Sequence, residues 1–231
     1  MTEGTGEPRA PEPQILEPQI LQREVGPFQA NCYVVVCPET REAVVIDPGA
    51  EPPAILGMVR EAGSRVVAIV TTHGHIDHVG AAGAVREATG APVMVHREDA
   101  RLLASPFLSL AALIPGWGAT RVKPDRELAD GDRVTFGRLS LLVRHTPGHT
   151  PGGVCLVIER EPDAPSICFS GDTLFAGSVG RTDFPGGDWT ILERSIREVV
   201  YALPDRTLVL PGHGPGTTVG EEKRGNAFVR G

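Results

Sequence analysis

Three imidazoles and one carboxylate stand within six residues of this chain, in Thr71-Thr72-His73-Gly74-His75-Ile76-Asp77-His78. These side chains hold a divalent metal, and Zn²⁺ favours such nitrogen and oxygen donors with one position left for water. The whole chain has 7 His, so this density is not a product of ordinary packing. Gly74 lets the backbone bend so that His73 and His75 can point at one ion. Asp77 and His78 follow where side chains diverge, which makes room for a second ion; the lesser alternative for Asp77 is a helix N-cap.

Three further donors are isolated: His149 in Thr146-Pro147-Gly148-His149-Thr150-Pro151-Gly152, Asp172 in Ser170-Gly171-Asp172-Thr173, and His213 in Pro211-Gly212-His213-Gly214. Singly they read as a loop histidine, a turn aspartate and another loop histidine. Each comes shortly after an apolar β-like run, and loops at the carboxyl ends of parallel strands gather at one edge of a sheet. Together the donors suit two divalent ions, zinc by donor type with iron or manganese as alternatives, and the chemistry is metal-assisted hydrolysis. His96 reads as a capping or packing residue, and His145 as a supporting or structural one.

The elements that position these groups follow from pattern. Asn31–Val36 and Glu42–Ile46 are strand-like runs split by Pro38-Glu39-Thr40-Arg41, a hairpin signal. Residues 53–62 have helical spacing, with proline in the first turn and Gly63 past the end. Val66–Val70 is continuously apolar, as in a strand buried on both faces, and runs into the histidine cluster. Asp77–Ala88 predicts one helix, Pro92–Val95 a strand, and residues 97–115 a helical or irregular stretch. Strand texture then recurs at Arg133–Phe136, Leu139–Val143, Val154–Ile158 and Ile167–Ser170. Residues 188–202 form an amphipathic helix, Thr207–Leu210 a last strand and Val219–Asn226 a terminal helix. The order predicts an α+β chain with two mixed sheets and helices outside.

The bulk composition narrows the function. With 41% hydrophobic and 22% charged residues the chain reads as a soluble globular protein. Net charge is −7 with no basic block, which argues against a nucleic-acid partner. No apolar run approaches the ~20 residues of a membrane span, and the amino terminus lacks the basic and apolar regions of a signal peptide. Cys32, Cys37, Cys155 and Cys168 lack metal-type spacing, so buried thiols in a reducing cytoplasm are expected, Cys32 and Cys37 on opposite strand faces. Residues 1–18, rich in Pro, Glu and Gly, are expected to be a disordered tail, and residues 19–231 a single domain. The oligomeric state is not legible.

His-x-His-x-Asp-His, followed by His149, Asp172 and His213, resembles the metallo-β-lactamase superfamily from about residue 25 onward. Within it, Gly171-Asp172-Thr173-Leu174-Phe175, Gly180-Arg181-Thr182-Asp183-Phe184 and Leu210-Pro211-Gly212-His213-Gly214-Pro215 look like the glyoxalase II-like hydrolases. The resemblance implies an αβ/βα four-layer sandwich with the site at one edge of two sheets. It implies that His73, His75 and His149 hold one ion, that Asp77, His78 and His213 hold the other, and that Asp172 bridges them. Asp47 in Ile46-Asp47-Pro48-Gly49 would orient a ligand histidine, although a turn aspartate before proline is the equal alternative. A hydroxide between the ions would attack a thioester such as an acyl-glutathione, with Asp77 orienting it. Arg181 would either clamp a substrate carboxylate or pair with Asp183.

The departures are specific. Some β-lactamases place cysteine where Asp172 stands, and related lactonases carry tyrosine where Phe175 stands. Glyoxalase II enzymes extend into a basic helical region for glutathione, of which Lys223 and Arg224 are the nearest counterparts. Two alternatives remain: a persulfide dioxygenase with one iron on two histidines and Asp172, and a non-catalytic metal-binding module.

Overall fold

Strands lie side by side in chain order in both main sheets, with one short hairpin set apart from them. The computed structural model describes residues 16–104, 122–160 and 164–231. The first sheet runs β1 (Gln19–Val25), β2 (Ala30–Val36), β3 (Glu42–Ile46), β4 (Arg65–Val70), β5 (Val93–His96), β6 (Arg126–Leu128), with β1–β3 antiparallel and β3–β6 parallel. Then come β7 (Arg133–Phe136), β8 (Leu139–His145), β9 (Val154–Ile158), β10 (Ile167–Gly171), a separate hairpin of β11 (Leu174–Phe175) and β12 (Ser178–Val179), β13 (Leu208–Pro211) and β14 (Thr217–Thr218). The second sheet is ordered β14-β13-β10-β9-β8-β7, with only β10 and β13 parallel.

Alternation along the strands builds four layers. In β2, Val34 and Val36 face an outer cluster with Ile55 and Met58 of helix α1 (Pro52–Glu61). Tyr33 and Val35 face inward, against Phe136, Leu141, Leu156 and Phe169 of the second sheet. Tyr33 meets Phe169 edge to face with centroids 5.1 Å apart. On the far side, Cys155, Val157, Cys168 and Val209 pack against Leu192, Ile196 and Val200. The order is helix, sheet, sheet, helix, the expected αβ/βα sandwich. Each fully buried Val, Leu, Ile or Phe contributes roughly 1.5–3 kcal/mol. Cys32 and Cys37 lie in different clusters, on opposite faces as expected, and all four cysteines are free and buried.

The helix expected over Asp77–Ala88 is two: α2 (Ile76–Val79) and α3 (Ala82–Thr89). The chain leaving β3 passes so close that a side chain on Gly49 would strike the Asp77 carbonyl, and one on Gly80 the Gly49 carbonyl at 2.4 Å. The break frees the Ala81 amide to donate to the Pro48 carbonyl. Strand β1 was not legible because it is polar and mostly exposed, as an edge strand tolerates. After β5 the chain makes a 3₁₀ turn, Arg97–Asp99, and helix α4 (Ala100–Ala104); residues 105–115 of the expected irregular stretch lie outside the described residues. Helix α5 (Trp189–Ser195) is capped by the Asp188 carboxylate and continues as a π-helical turn, Ile196–Val200. Helix α6 (Val219–Gly225) carries a Thr218–Glu221 capping box.

Residues 1–15 of the expected tail lie outside the described residues. Leu16 packs on the inter-sheet core and Glu17 pairs with Arg160 at 2.6 Å, the Glu17 side chain being 77% exposed. Surface pairs of this kind contribute about 1 kcal/mol or less. Deleting residues 1–18 is therefore expected to leave hydrolysis at the wild-type rate and lower the melting temperature by a few degrees. A large loss of turnover on that truncation, measured at saturating metal, would show that the segment serves the site.

Candidate metal centre

The histidine loop leaves β4 at the edge of the first sheet. His149 follows β8, Asp172 follows β10 and His213 follows β13, all in the second sheet. The seven donors meet across the seam. His73, His75 and His149 form one group whose ligand atoms lie within 4.8 Å of one another; Asp77, His78 and His213 form a second; His73, His78 and Asp172 form a third. Asp172 lies between the two triads. Its Oδ1 is 3.4 Å from His78 Nε2, and its Oδ2 is 3.5 Å from His149 Nε2 and 3.7 Å from His213 Nε2. Asp77 Oδ2 is 3.4 Å from His213 Nε2 and 3.7 Å from His78 Nε2.

Each imidazole is aimed by its other nitrogen or by a neighbour. His78 Nδ1 is 3.1 Å from Asp47 Oδ2, His149 Nδ1 2.7 Å from the Arg181 carbonyl, His213 Nδ1 3.1 Å from the Phe28 carbonyl, and His73 Nδ1 3.2 Å from Thr72 Oγ1. In those four rings Nε2 is turned toward the cluster. His75 is reversed, with Nδ1 2.9 Å from His149 Nε2. Such outer partners fix the tautomer and heading of a metal-binding imidazole.

Asp47 holds more than His78. Its carboxylate also accepts from the Thr72 amide and hydroxyl, both at 2.7 Å, so it ties the end of β3 to the start of the histidine loop. It does so with φ at +52°, a left-handed conformation that aspartate tolerates better than most residues. Both sequence readings of Asp47, turn former and histidine partner, describe the same residue.

The donor set fits metal. His73 Nε2, His78 Nε2 and Asp172 Oδ1 are buried with no hydrogen-bond partner among the described residues. Buried polar atoms are seldom left so, and three in one cluster suit cations. Burial, reinforced by the neighbouring imidazoles, pushes His73 well below the usual histidine range and His75 down to about 3, so both are neutral and free to ligate. Burial disfavours charge on His78 as well, but Asp172, Asp77 and Asp47 outweigh it and raise that group to about 10. Burial raises Asp77, and the surrounding imidazoles, His78 foremost, overcome it and hold the carboxylate ionised.

A cavity of about 400 Å³ opens on the cluster. Its walls are largely apolar: Phe28, Ile76, Phe175, Val179 and Phe184, with Arg181 the one lysine or arginine among the lining residues. The Arg181 guanidinium stacks 3.9 Å above the Phe184 ring and gives one edge, Nε and one terminal nitrogen, to Asp183 at 2.6 and 2.5 Å. The structure thus pairs Arg181 with Asp183 while keeping it at the cavity. Glu222 and Asn226, at the end of the chain, bond the β11–β12 hairpin at the Gly177 amide and the Ser178 carbonyl, which fixes the Phe175–Val179 wall. Lys223 is spent on Asp205 at 2.6 Å.

Several supporting residues were not foreseen. Asp99, fully buried, accepts from the Gly74 and Gly152 amides and the Thr150 hydroxyl. Asn31 and Tyr33 bond the Pro211 carbonyl just before His213. Thr146 and Thr173 join the His149 and Asp172 loops through their hydroxyls at 2.9 Å. Only a polar side chain in or beside an apolar run marked these positions, and surface residues leave the same mark. His96 caps the 3₁₀ turn and stacks on His145 at 4.1 Å, the capping and structural roles expected.

Comparison with known proteins accords with this geometry. A family model described as the metallo-beta-lactamase superfamily matches residues 25–213. The hydroxyacylglutathione hydrolase GloC of Haemophilus influenzae is 36% identical over 87% of this chain and 93% of its own. Among solved structures, BLEG-1 B3 metallo-beta-lactamase superposes with a TM-score of 0.84 at 38% identity, covering 92% of this chain and all (100%) of that one. TTHA1623 in a di-iron-bound form gives 0.75 at 42% identity, over 90% and 100% respectively. No helix among the described residues is long and apolar enough to cross a membrane.

Proposed function

The chain belongs to the metallo-β-lactamase superfamily, and on that premise we propose that it is a dinuclear metal-dependent thioester hydrolase of glyoxalase II type. The substrate is an acyl-glutathione or a related acyl thiol. The observation that carries this reading is the pair of triads, one on either side of Asp172, opening on an apolar cavity. The 36% identical relative named hydroxyacylglutathione hydrolase supports the substrate class. His73, His75 and His149 would hold one ion and Asp77, His78 and His213 the other, with Asp172 placed between the two triads. Zinc suits the donors, and the di-iron-bound relative makes iron an equal candidate, with manganese a third.

When bound, the two ions supply a water acidic enough to ionise near neutral pH and a Lewis acid for the carbonyl oxygen. The protein's own residues do the rest. Asp77, held ionised, accepts a hydrogen bond from the attacking water through a carboxylate oxygen and so aims it at the acyl carbon. Phe28, Phe175 and Phe184 keep bulk water off the acyl chain. Arg181 has its second edge free for a substrate carboxylate. The thiolate is a good leaving group, and no side-chain nucleophile is required.

A single-iron dioxygenase would need only two histidines and Asp172, which leaves Asp77, His78 and His213 without a purpose. A purely structural zinc site is closed by four ligands, whereas this donor set is larger and faces a cavity. Metal analysis with a thioester panel separates the three. Two ions per chain and acyl-thiol turnover are expected. One iron with oxygen uptake on glutathione persulfide, or tightly held metal with no turnover of any acyl thiol, would overturn the reading. Arg181→Ala is expected to raise KM several-fold for thioesters bearing a carboxylate while kcat stays within about twofold, the pattern of lost uniform binding. An unchanged KM would remove Arg181 from the substrate site.

A further inference from the structure

Asp99 has no part in the chemistry above, yet it is fully buried and joins two ligand loops. It ends the 3₁₀ turn after β5. Its Oδ2 accepts the Gly74 amide at 2.9 Å and the Thr150 hydroxyl at 2.7 Å, and its Oδ1 accepts the Gly152 amide at 2.6 Å. Gly74 lies between His73 and His75, and Thr150 follows His149. One carboxylate therefore tethers all three members of one triad, from loops that leave different sheets. The packing is close: a side chain on Gly152 would come within 2.7 Å of the Asp99 carboxyl carbon, and one on Gly74 within 2.5 Å of Leu102 Cβ. The second triad has a different keeper, since Asp47 bonds His78 and the Thr72 backbone.

We propose that Asp99 is the positioning residue of the His73/His75/His149 triad, setting the spacing between its two loops and with it the affinity of that ion alone. The inference rests on the two-ion reading above. A general structural role would weaken both ions or neither; this role weakens one. Burial pushes the Asp99 carboxyl up while its three donors pull it back. What the loops require is acceptors on both oxygens, and an asparagine cannot supply them. With its amide nitrogen toward Gly152, two N–H groups face each other; turned the other way, it meets the Gly74 N–H.

The test is metal affinity, read by competition with a chromophoric zinc chelator, in wild-type protein and two single-ion backgrounds. His213→Ala cripples the second triad and His75→Ala the first. Adding Asp99→Asn to His213→Ala is expected to weaken the remaining ion about 10-fold or more, the effect typical of losing an outer partner. Adding it to His75→Ala is expected to change the remaining affinity by less than about twofold. Equal losses in both backgrounds, or none in either, would overturn the inference. Should circular dichroism show Asp99→Asn to be unfolded, Thr150→Val, which removes one donor and keeps the shape, decides in the same two backgrounds with the same expected selectivity. Fewer than two zinc ions in wild type would refute the two-ion reading itself, whereas two ions with an unselective Asp99→Asn refute this assignment only.

Discussion

Asp172→Ala is expected to abolish hydrolysis and to release both ions. Its two oxygens face three imidazole nitrogens at 3.4–3.7 Å, drawn from both triads. Removing an outer partner of a ligand already lowers affinity or activity 10–100-fold. Loss of the shared ligand should exceed that range, giving activity more than about 100-fold down and a metal content near zero after dialysis. The fold should survive, because Asp47 and Asp77 still face the His78 ring. His75→Ala is expected to abolish turnover too, but to release one ion only. Plasma emission analysis beside a thioester assay checks both variants, and wild-type turnover in either would refute the roles given to them.

Gly212→Ala is the second large effect, though Gly212 holds nothing itself. A Cβ there would lie 2.2 Å from Asp172 Oδ1 and 2.8 Å from His78 Cε1, so two donors must move. The backbone cannot retreat, because the Gly212 amide donates to the Gly171 carbonyl at 2.8 Å and its carbonyl accepts from the Asn31 amide at 2.7 Å. Gly212 is not among the residues with positive φ, so an added methyl acts by contact and not by backbone strain. The expected result is a folded protein with activity about 100-fold lower and weakened metal binding. Gly177→Ala is the control: its φ of +71° makes alanine strained, by about 1 kcal/mol, yet no atom of the described residues lies within 4 Å of the added methyl. It should lose some stability and keep its metal. Equal metal loss in both variants would show that the effect is not contact with the donors.

Alternation and donor chemistry were legible in the sequence; distant partners were not. β3, β7 and β9 have the predicted bounds, since the apolar runs of β3 and β9, the alternation of β7 and the flanking turns are all local signals. The sequence after the histidine loop predicts one helix because the interruption comes from the Pro48–Gly49 strand end, which is remote in sequence. The same division holds in the site. The seven candidate donors and Asp47 stand out in the sequence, and the fold brings them together, because clustered histidines and Gly/Pro-flanked acids betray themselves. Asp99 was not, because its importance lies in three hydrogen bonds to residues 25 to 53 positions away. Asn31 and Glu222 escaped for the same reason, each a polar side chain whose partners only folding supplies.

The last donor, His213, stands on the loop after β13, far along the chain from the histidine loop that follows β4. A ribosome must therefore carry synthesis past β13 before the second triad exists. Cofactor acquisition becomes a late event, after both halves have closed on each other, and a product of premature termination carries the signature histidine loop without the means to use it.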